Sequence, residues 1–221
     1  VIVVAITGAL IRLGNYFNSE IIGLPTDKAY GVVFVNKFTE SIEDSRVDRE
    51  GIVESVAYKA NDSLPKGSNG RVPINIYVFF KKGTSETQAN NFSSFTARNI
   101  LSNTLYEYFD AAGENTRITV TPQDDDTLAA RISTFGIARH PAQLYESIAC
   151  VILFVFLFWL WSMQKENLPA GRLLVIFLIW CFGLRFVFEY LKENQESFED
   201  NMILNMGQIL SIPLVIAGIV I

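Results

Sequence analysis

The sequence predicts a polytopic α-helical membrane protein with an inserted small α+β extracytoplasmic domain. Half of the 221 residues are hydrophobic and 19% are charged, and the two kinds are segregated along the chain. Residues 147–164 and 201–221 carry no charge, whereas residues 37–136 contain 11 of the 18 basic and 14 of the 23 acidic side chains. This segregation excludes a fully soluble protein and a fully disordered one.

Residues 1–36 are interpreted as the end of a transmembrane helix followed by a polar loop. The chain starts at Val1 with 11 apolar residues before Arg12, which is roughly half of a membrane span. This segment lacks the basic start and the small-residue cleavage site of a signal peptide. We therefore expect a fragment that lacks the N-terminal transmembrane helices of the complete protein.

Residues 37–136 are predicted to form the inserted domain. Residues 71–82 alternate apolar and polar side chains, which is typical of a strand, and further strands are predicted at residues 51–60 and 117–121. A helix between them completes the order β-β-α-β, which favours a small α+β fold.

That helix is predicted from a capping box. Ser85 and Gln88 have the required spacing, and the apolar positions continue as far as Phe109. Three adjacent aspartates follow later, at residues 124–126. We interpret them as a solvated charge run rather than a metal site, because neighbouring carboxylates on a loop are usually solvated.

Residues 137–221 are predicted to contribute three transmembrane helices, at residues 147–164, 173–190 and 202–221. All three runs are too long and too evenly apolar for helices that lie on a membrane surface. Trp159, near the end of the first run, suits the aromatic belt at a membrane interface.

The composition also limits the partners. A net charge of -5 without a basic stripe argues against nucleic acid. Cys150 and Cys181 lie in apolar runs and are interpreted as small buried hydrophobic residues, not as a disulfide framework. A single histidine rules out a histidine-rich metal site.

A first polar cluster follows the first apolar run, in residues 12–23 (RLGNYFNSEIIG). It combines a guanidinium, two amides and a carboxylate with glycines that let the backbone turn. Its candidate substrate-binding residues are Arg12, Asn15, Asn18, Glu20 and Gly23. Arg12 alone is equally consistent with a side chain that extends to the lipid headgroups. Several polar side chains at one membrane edge instead indicate a bound polar ligand.

Two further polar clusters lie beside apolar runs. Residues 139–146 (RHPAQLYE) precede a predicted helix, which explains Pro141 in a first turn but not the other polar side chains. The candidate residues there are His140, Gln143, Tyr145 and Glu146. Arg185 and Glu189 are four residues apart and lie on one helix face. This pair points either to a ligand or to mutual neutralisation inside a helical bundle.

Four segments, taken in order, resemble the prolipoprotein diacylglyceryl transferase family. They are residues 12–23, residues 139–146, residues 183–193 (GLRFVFEYLKE) and residues 205–218 (NMGQILSIPLVIAG). The resemblance implies a bacterial inner-membrane enzyme with seven transmembrane helices and with no cofactor or metal. Such an enzyme transfers the diacylglyceryl group of phosphatidylglycerol to the lipobox cysteine thiol of a preprolipoprotein signal peptide and releases glycerol phosphate.

The resemblance also implies roles for individual residues. The family's signature arginine, asparagine, glutamate and glycine fall on Arg12, Asn15, Glu20 and Gly23. The implied catalytic residues are Arg12, Arg185 and Glu189. The arginines would hold the phosphate of the lipid, because a guanidinium binds two phosphate oxygens at once. The base that takes the thiol proton is either Glu189 or a histidine of a motif expected upstream of the chain.

Three features depart from the family pattern. Cys181 stands where the family has a tyrosine, and Ser19 stands where it usually has a glycine. The family's His-Gly-Gly motif is expected upstream of Val1. His140 belongs to a different motif and does not take over the role of that histidine.

The resemblance places residues 37–136 outside the cytoplasm. This segment joins two motifs that both face the headgroup of a lipid in the outer leaflet. The loop at residues 165–172 carries two basic residues and one acidic residue, which favours the cytoplasmic side. The acidic residues 193–200 would then lie outside.

Two alternative functions are considered. In a membrane transporter or channel, Arg185 and Glu189 would line a pathway near the middle of the membrane. In a membrane-anchored binding protein, the recognition residues would lie in residues 37–136, where the sequence presents none. Neither alternative explains the four ordered segments.

Overall fold

The computed structural model describes residues 1–44, 47–111, 116–123, 127–192, 202 and 204–220. The chain forms two compact units, one from Val1–Leu24 and His140–Ile221 and the other from Pro25–Arg139. In chain order the helices and strands are α1 (Ile2–Phe17), β1 (Val32–Val33), α2 (Asn36–Glu43), β2 (Val53–Ala60), β3 (Arg71–Phe80), α3 (Glu86–Asn91), β4 (Phe109–Asp110), β5 (Arg117–Pro122), β6 (Leu128–Arg139), α4 (Ala142–Gln164), α5 (Arg172–Phe188) and α6 (Met206–Val220). We call the first unit the helical unit and the second the sheet unit.

The helical unit contains two helices that are long and apolar enough to cross a membrane, Ala142–Gln164 and Arg172–Leu191. Helices α1 and α6 are apolar but shorter, with 16 and 15 residues. Large apolar side chains, such as those of Val155 and Trp159, are exposed on these helices. Exposed apolar surface of this extent suits contact with lipid.

Small residues let the helices of this unit pack closely. Ala5 and Ala9 of α1 are buried, and the Ser147 hydroxyl of α4 donates a hydrogen bond to the carbonyl of Ala9 at 2.9 Å. Between α5 and α6, a Cβ added at Gly218 would lie 3.0 Å from the side chain of Ile179. These contacts follow the packing of membrane helices, in which small residues let the backbones approach.

The helices extend further than the apolar runs alone predict. Helix α4 begins five residues before the predicted run at 147–164, because Pro141 directly precedes its first residue. Helix α1 continues past Arg12 to Phe17, so Arg12 lies within the helix and not at its exit. The predicted acidic segment 193–200 lies outside the described residues.

The sheet unit is built around its longest strand, β6. The strand order is β1-β6-β3-β2, and β4 and β5 also pair with β6; all pairs are antiparallel. Apolar side chains of β3 and β6, including Ile76 and Ile132, meet at directly paired positions. They join Phe38 of α2 and Leu101 in the buried core.

The predicted strand at residues 71–82 is confirmed as β3, and the capping box is confirmed at the start of α3. The Ser85 hydroxyl accepts the amide hydrogen of Gln88 at 3.2 Å, and the Gln88 side chain accepts that of Ser85 at 3.0 Å. Wider π-helical turns follow at Phe92–Ala97 and Ile100–Thr104. The helical segment ends before Phe109, which belongs to β4.

The sheet unit extends beyond residues 37–136 at both ends, because β1 pairs with the last residues of β6. The guanidinium of Arg139, at the end of β6, is buried and donates to the carbonyl of Glu107 at 2.6 and 2.8 Å. Burial lowers the pKa of Arg139 below its ordinary value. The three aspartates at 124–126 lie outside the described residues.

Candidate active site in the helical unit

Backbone hydrogen bonds bring three of the polar segments together. The amide of Gly23 donates to the carbonyl of His140 at 3.2 Å, and the amide of Leu24 donates to the carbonyl of Leu191 at 2.8 Å. Gly23 also forms an isolated bridge with Lys192. A Cβ at Gly23 would overlap the carbonyl oxygen of His140 and lie 2.9 Å from that of Leu191. Glycine is therefore required for this close approach.

A chain of charges connects α1, α4 and the residues that follow α5. The Arg12 Nε lies 2.5 Å from one oxygen of Glu146, and the Lys192 Nζ lies 2.5 Å from the other. Lys192 also contacts Glu189 at 3.0 Å. Glu146 and Lys192 are each only 6% exposed. Two cations and two anions alternate, so each buried charge has an opposite charge beside it, as burial requires.

Arg185 adds a cation to this balanced chain. Its Nε is buried and makes no hydrogen bond with any residue that the structure describes. Leaving such a donor without a partner costs free energy, about 1–3 kcal/mol or more for a charged group. The site therefore has the means to bind an anion at Arg185.

An apolar cavity of about 310 Å³ opens beside these charges, between α1, α4 and α5. Arg12, Glu146 and Arg185 form its polar end, and its remaining walls are mostly apolar. The apolar lining includes Val4, Ala5, Ile11, Phe177, Trp180 and Phe182. A cavity of this kind suits a ligand with an anionic group at one end and an apolar body.

Gln143 and Tyr145 hold the start of α4 in place. Gln143 is 1% exposed, and its amide donates to the carbonyl of Glu20 at 2.5 Å. The Tyr145 hydroxyl lies 3.3 Å from Nδ1 of His140, and the two rings meet edge to face. These two predicted site residues do not line the cavity and instead contact Glu20 and His140.

The side chains of Asn15, Asn18 and Glu20 are not among those that line the cavity. Asn18 and Glu20 are exposed, and Asn15 is half-buried. The turn after α1 places Ser19 at φ 54°, a left-handed conformation that favours glycine. The glycine usual in the family at this position thus has a conformational reason.

Two site residues are not predicted from the sequence. Lys192 follows Glu189 by three residues and so lies on the same helical face, but its sequence position alone indicates no role. Gly207 of α6 is the second, and a Cβ there would overlap the carboxylate of Glu189. Only the fold reveals that α6 passes so close to Glu189.

Within the described residues, no group of three or more histidine, cysteine, aspartate or glutamate side chains is arranged to hold a metal ion. The two cysteines lie in the cavity wall and are free thiols. The polar end of the cavity therefore consists of guanidinium and carboxylate groups.

Comparison with known proteins identifies the family. The sequence model of the family described as "Prolipoprotein diacylglyceryl transferase" matches residues 1–221. The chain belongs to the prolipoprotein diacylglyceryl transferase family. This match confirms the resemblance of the four segments, and the family is one of membrane enzymes. No solved structure matches the chain.

Curated relatives are similar over part of their length. The phosphatidylglycerol–prolipoprotein diacylglyceryl transferase of Bacteroides fragilis is 52% identical over 81 residues, which are 37% of this chain and 29% of the relative. That of Protochlamydia amoebophila is 45% identical over 83 residues, 38% of this chain and 22% of the relative. That of Porphyromonas gingivalis is 40% identical over 93 residues, 40% and 33% respectively. The matched segments thus span about a third or less of each of these relatives.

Proposed function

We propose that the protein containing this chain transfers the diacylglyceryl group of phosphatidylglycerol to the lipobox cysteine of preprolipoproteins. Its curated relatives are named for this lipid donor and this protein acceptor. The observation that carries the proposal is the position of two guanidinium groups, Arg12 and Arg185, at the polar end of an apolar cavity. A phospholipid has matching chemistry, because its phosphate is anionic and its acyl chains are apolar.

Arg185 is the first candidate ligand of the lipid phosphate. Its buried Nε has no hydrogen-bond partner among the described residues, so a phosphate oxygen would satisfy it. Arg12 uses its Nε for Glu146, and its two terminal nitrogens remain the groups proposed to bind the phosphate. Guanidinium groups bind phosphate bidentately, which also orients the lipid.

The proposed reaction is a displacement at the carbon of the diacylated glycerol that carries the phosphate ester. The lipobox sulfur forms a bond to that carbon, and the carbon–oxygen bond breaks with its electron pair on the oxygen of glycerol phosphate. The thiol proton passes to a base, which is either Glu189 or a histidine elsewhere in the complete protein. Arg12 and Arg185 would stabilise the charge that develops on the leaving phosphate, most effectively where water is excluded.

The proposal includes the arrangement of the chain in the membrane. We expect several transmembrane helices in the bacterial inner membrane, with the sheet unit on the extracytoplasmic side. Two of the helices have the length and the apolar surface to span the bilayer. The headgroup site would then lie at one membrane interface.

A transporter or channel is the alternative, and the positions of the charges weigh against it. Arg185 lies in the last turn of α5, and Glu146 lies in the second turn of α4. A transport pathway needs its charged groups near the middle of the membrane. Charges at helix ends instead suit a lipid headgroup.

The proposal is tested with the full-length protein in vesicles that contain phosphatidylglycerol. A synthetic peptide with a lipobox cysteine is added, and mass spectrometry follows its modification. We expect the mass of the peptide to increase by a diacylglyceryl group, and a peptide with serine in place of that cysteine to stay unmodified. An unmodified cysteine peptide together with solute flux across the vesicles would favour the transporter.

A further inference from the structure

The two cysteines lie one helical turn away from the charged end of the cavity. Cys150 follows Glu146 by four residues on α4, and Cys181 precedes Arg185 by four residues on α5. Residues four apart lie on the same face of a helix. Both cysteines line the cavity that Glu146 and Arg185 also line.

The two thiols lie at a contact between α4 and α5. Ala149 and Trp180 directly precede Cys150 and Cys181, and the Trp180 indole nitrogen donates a hydrogen bond to the carbonyl of Ala149 at 3.3 Å. Gly8 of α1 leaves room beside them, since a Cβ at that position would lie 3.7 Å from the sulfur of Cys150. Both residues are half-buried free cysteines. They can therefore be reached from the cavity.

We propose that Cys150 and Cys181 are an oxidation site, at which a disulfide forms and links α4 to α5 next to the charged groups. Each thiol gives up one hydrogen atom, the two sulfurs form a bond, and the two protons and two electrons pass to an oxidant of the quinone class, which becomes a quinol. The aromatic side chains of Phe177, Trp180 and Phe182 in the cavity wall suit a flat apolar oxidant of this kind.

The disulfide has a consequence for the neighbouring charges. A disulfide bond is shorter than a contact between two thiols, so its formation draws α4 and α5 together at this level. Glu146 and Arg185 lie one turn away on the same two helices. We expect the oxidised protein to transfer the diacylglyceryl group more slowly, an effect that rests on the proposed function.

The oxidation is tested on the full-length protein in membranes by diamide, an azo compound that accepts the two hydrogen atoms. After denaturation, maleimide labelling and mass spectrometry count the free thiols. Before diamide, both of the chain's cysteines are expected to be labelled. After diamide, neither should be labelled, the intact mass should fall by two hydrogen atoms, and dithiothreitol should restore both. Any cysteine of the complete protein outside this chain is first replaced by serine.

A matched control variant keeps two cysteines but places one of them on another face of α5. In the double variant Cys181→Ala with Ile179→Cys, the new cysteine takes the place of a side chain that contacts Gly218 of α6. This variant should keep two free thiols after the same treatment. Two free thiols in the unmodified protein, or bonds formed only between molecules, would overturn the proposal.

Transfer activity is then compared with and without diamide in the unmodified protein and in Cys150→Ser. Oxidation should slow only the unmodified protein. If no disulfide forms while transfer proceeds, the oxidation site is wrong and the proposed function stands. If the disulfide forms but no variant transfers the lipid group, the proposed function fails and the oxidation site stands.

Discussion

Glu146 is the residue on which the candidate site depends most. It is buried, yet it faces Arg12 on one side and Lys192 on the other at 2.5 Å each. The two cations beside this buried carboxylate compensate for part of its cost in desolvation. Its benefit is to fix the position of Arg12 beside the cavity before any ligand binds.

Replacing Lys192 tests how these charges depend on one another. Lys192→Met removes the cation that contacts both Glu146 and Glu189, and so leaves two buried carboxylates with less compensation. Removing one partner of a buried ion pair typically costs about 3–5 kcal/mol of stability. We expect a clear fall in the thermal unfolding midpoint of the purified protein, and Lys192→Arg should recover most of it. An unchanged midpoint in Lys192→Met would contradict the charge chain.

Gly23 is the position at which the backbone segments of the site come closest. A Cβ at this position overlaps the carbonyl of His140, so Gly23→Ala should push the backbone at residue 23 away from that of His140. We expect lower transfer activity and faster hydrogen exchange of the Leu24 amide, which donates to Leu191. Gly14→Ala is the control, because a Cβ there meets nothing within 4 Å. Equal effects in both variants would contradict the requirement for close approach.

The individual residues of the site were only partly predictable. Arg12, Glu146 and Arg185 attract attention in the sequence because charges are rare beside apolar runs. The pairing of Arg12 with Glu146 could not be inferred, since 133 residues lie between them. Lys192 resembled an ordinary lysine at the end of a helix until the fold placed it between two carboxylates.

The helices and strands differ in how clearly the sequence predicts them. The helices α4 and α5 follow directly from their charge-poor apolar runs. The strand β6 was missed because its sequence, LAARISTFGIAR, contains alanines and a glycine, which have weak strand preference. It is nevertheless central, because β3 lies along one edge and β5, β4 and β1 lie along the other.

The capping box of α3 is expected to stabilise the start of that helix. Ser85→Ala removes the hydroxyl that accepts the Gln88 amide hydrogen. Loss of such a cap costs about 0.5–2 kcal/mol. We expect amide hydrogen exchange in Glu86–Asn91 to become faster by the factor that corresponds to this loss of free energy. Exchange in β6 should not change. Ser68→Ala, at an exposed turn position, is the control. Protection in Ser85→Ala equal to that of the control would show that the cap contributes nothing.

The arrangement of the whole molecule in the membrane can be tested from the sheet unit. We expect this unit on the extracytoplasmic side, because the chain enters and leaves it beside the two motifs of the proposed headgroup site. Ser68 is exposed, so Ser68→Cys, in a background with Cys150 and Cys181 replaced, should react with a membrane-impermeant maleimide added outside intact inner-membrane spheroplasts. Reaction only after the membrane is permeabilised would reverse this topology.

In the proposed enzyme, guanidinium groups from separate helices hold the lipid phosphate for transfer. The most direct measurement is the transfer rate of full-length Arg12→Lys, compared with Arg12→Ala and with the exposed control Arg172→Lys, at equal amounts in the membrane. Lysine keeps the positive charge beside Glu146 but lacks the planar guanidinium group, whose nitrogens bind two phosphate oxygens at once. We expect Arg12→Lys and Arg12→Ala both to lose about 2.7–4 kcal/mol of transition-state stabilisation, a rate loss of ~100- to 1000-fold, and Arg172→Lys to keep the normal rate. A nearly normal rate in Arg12→Lys would contradict the proposed phosphate binding and leave Arg12 as an anchor at the membrane interface.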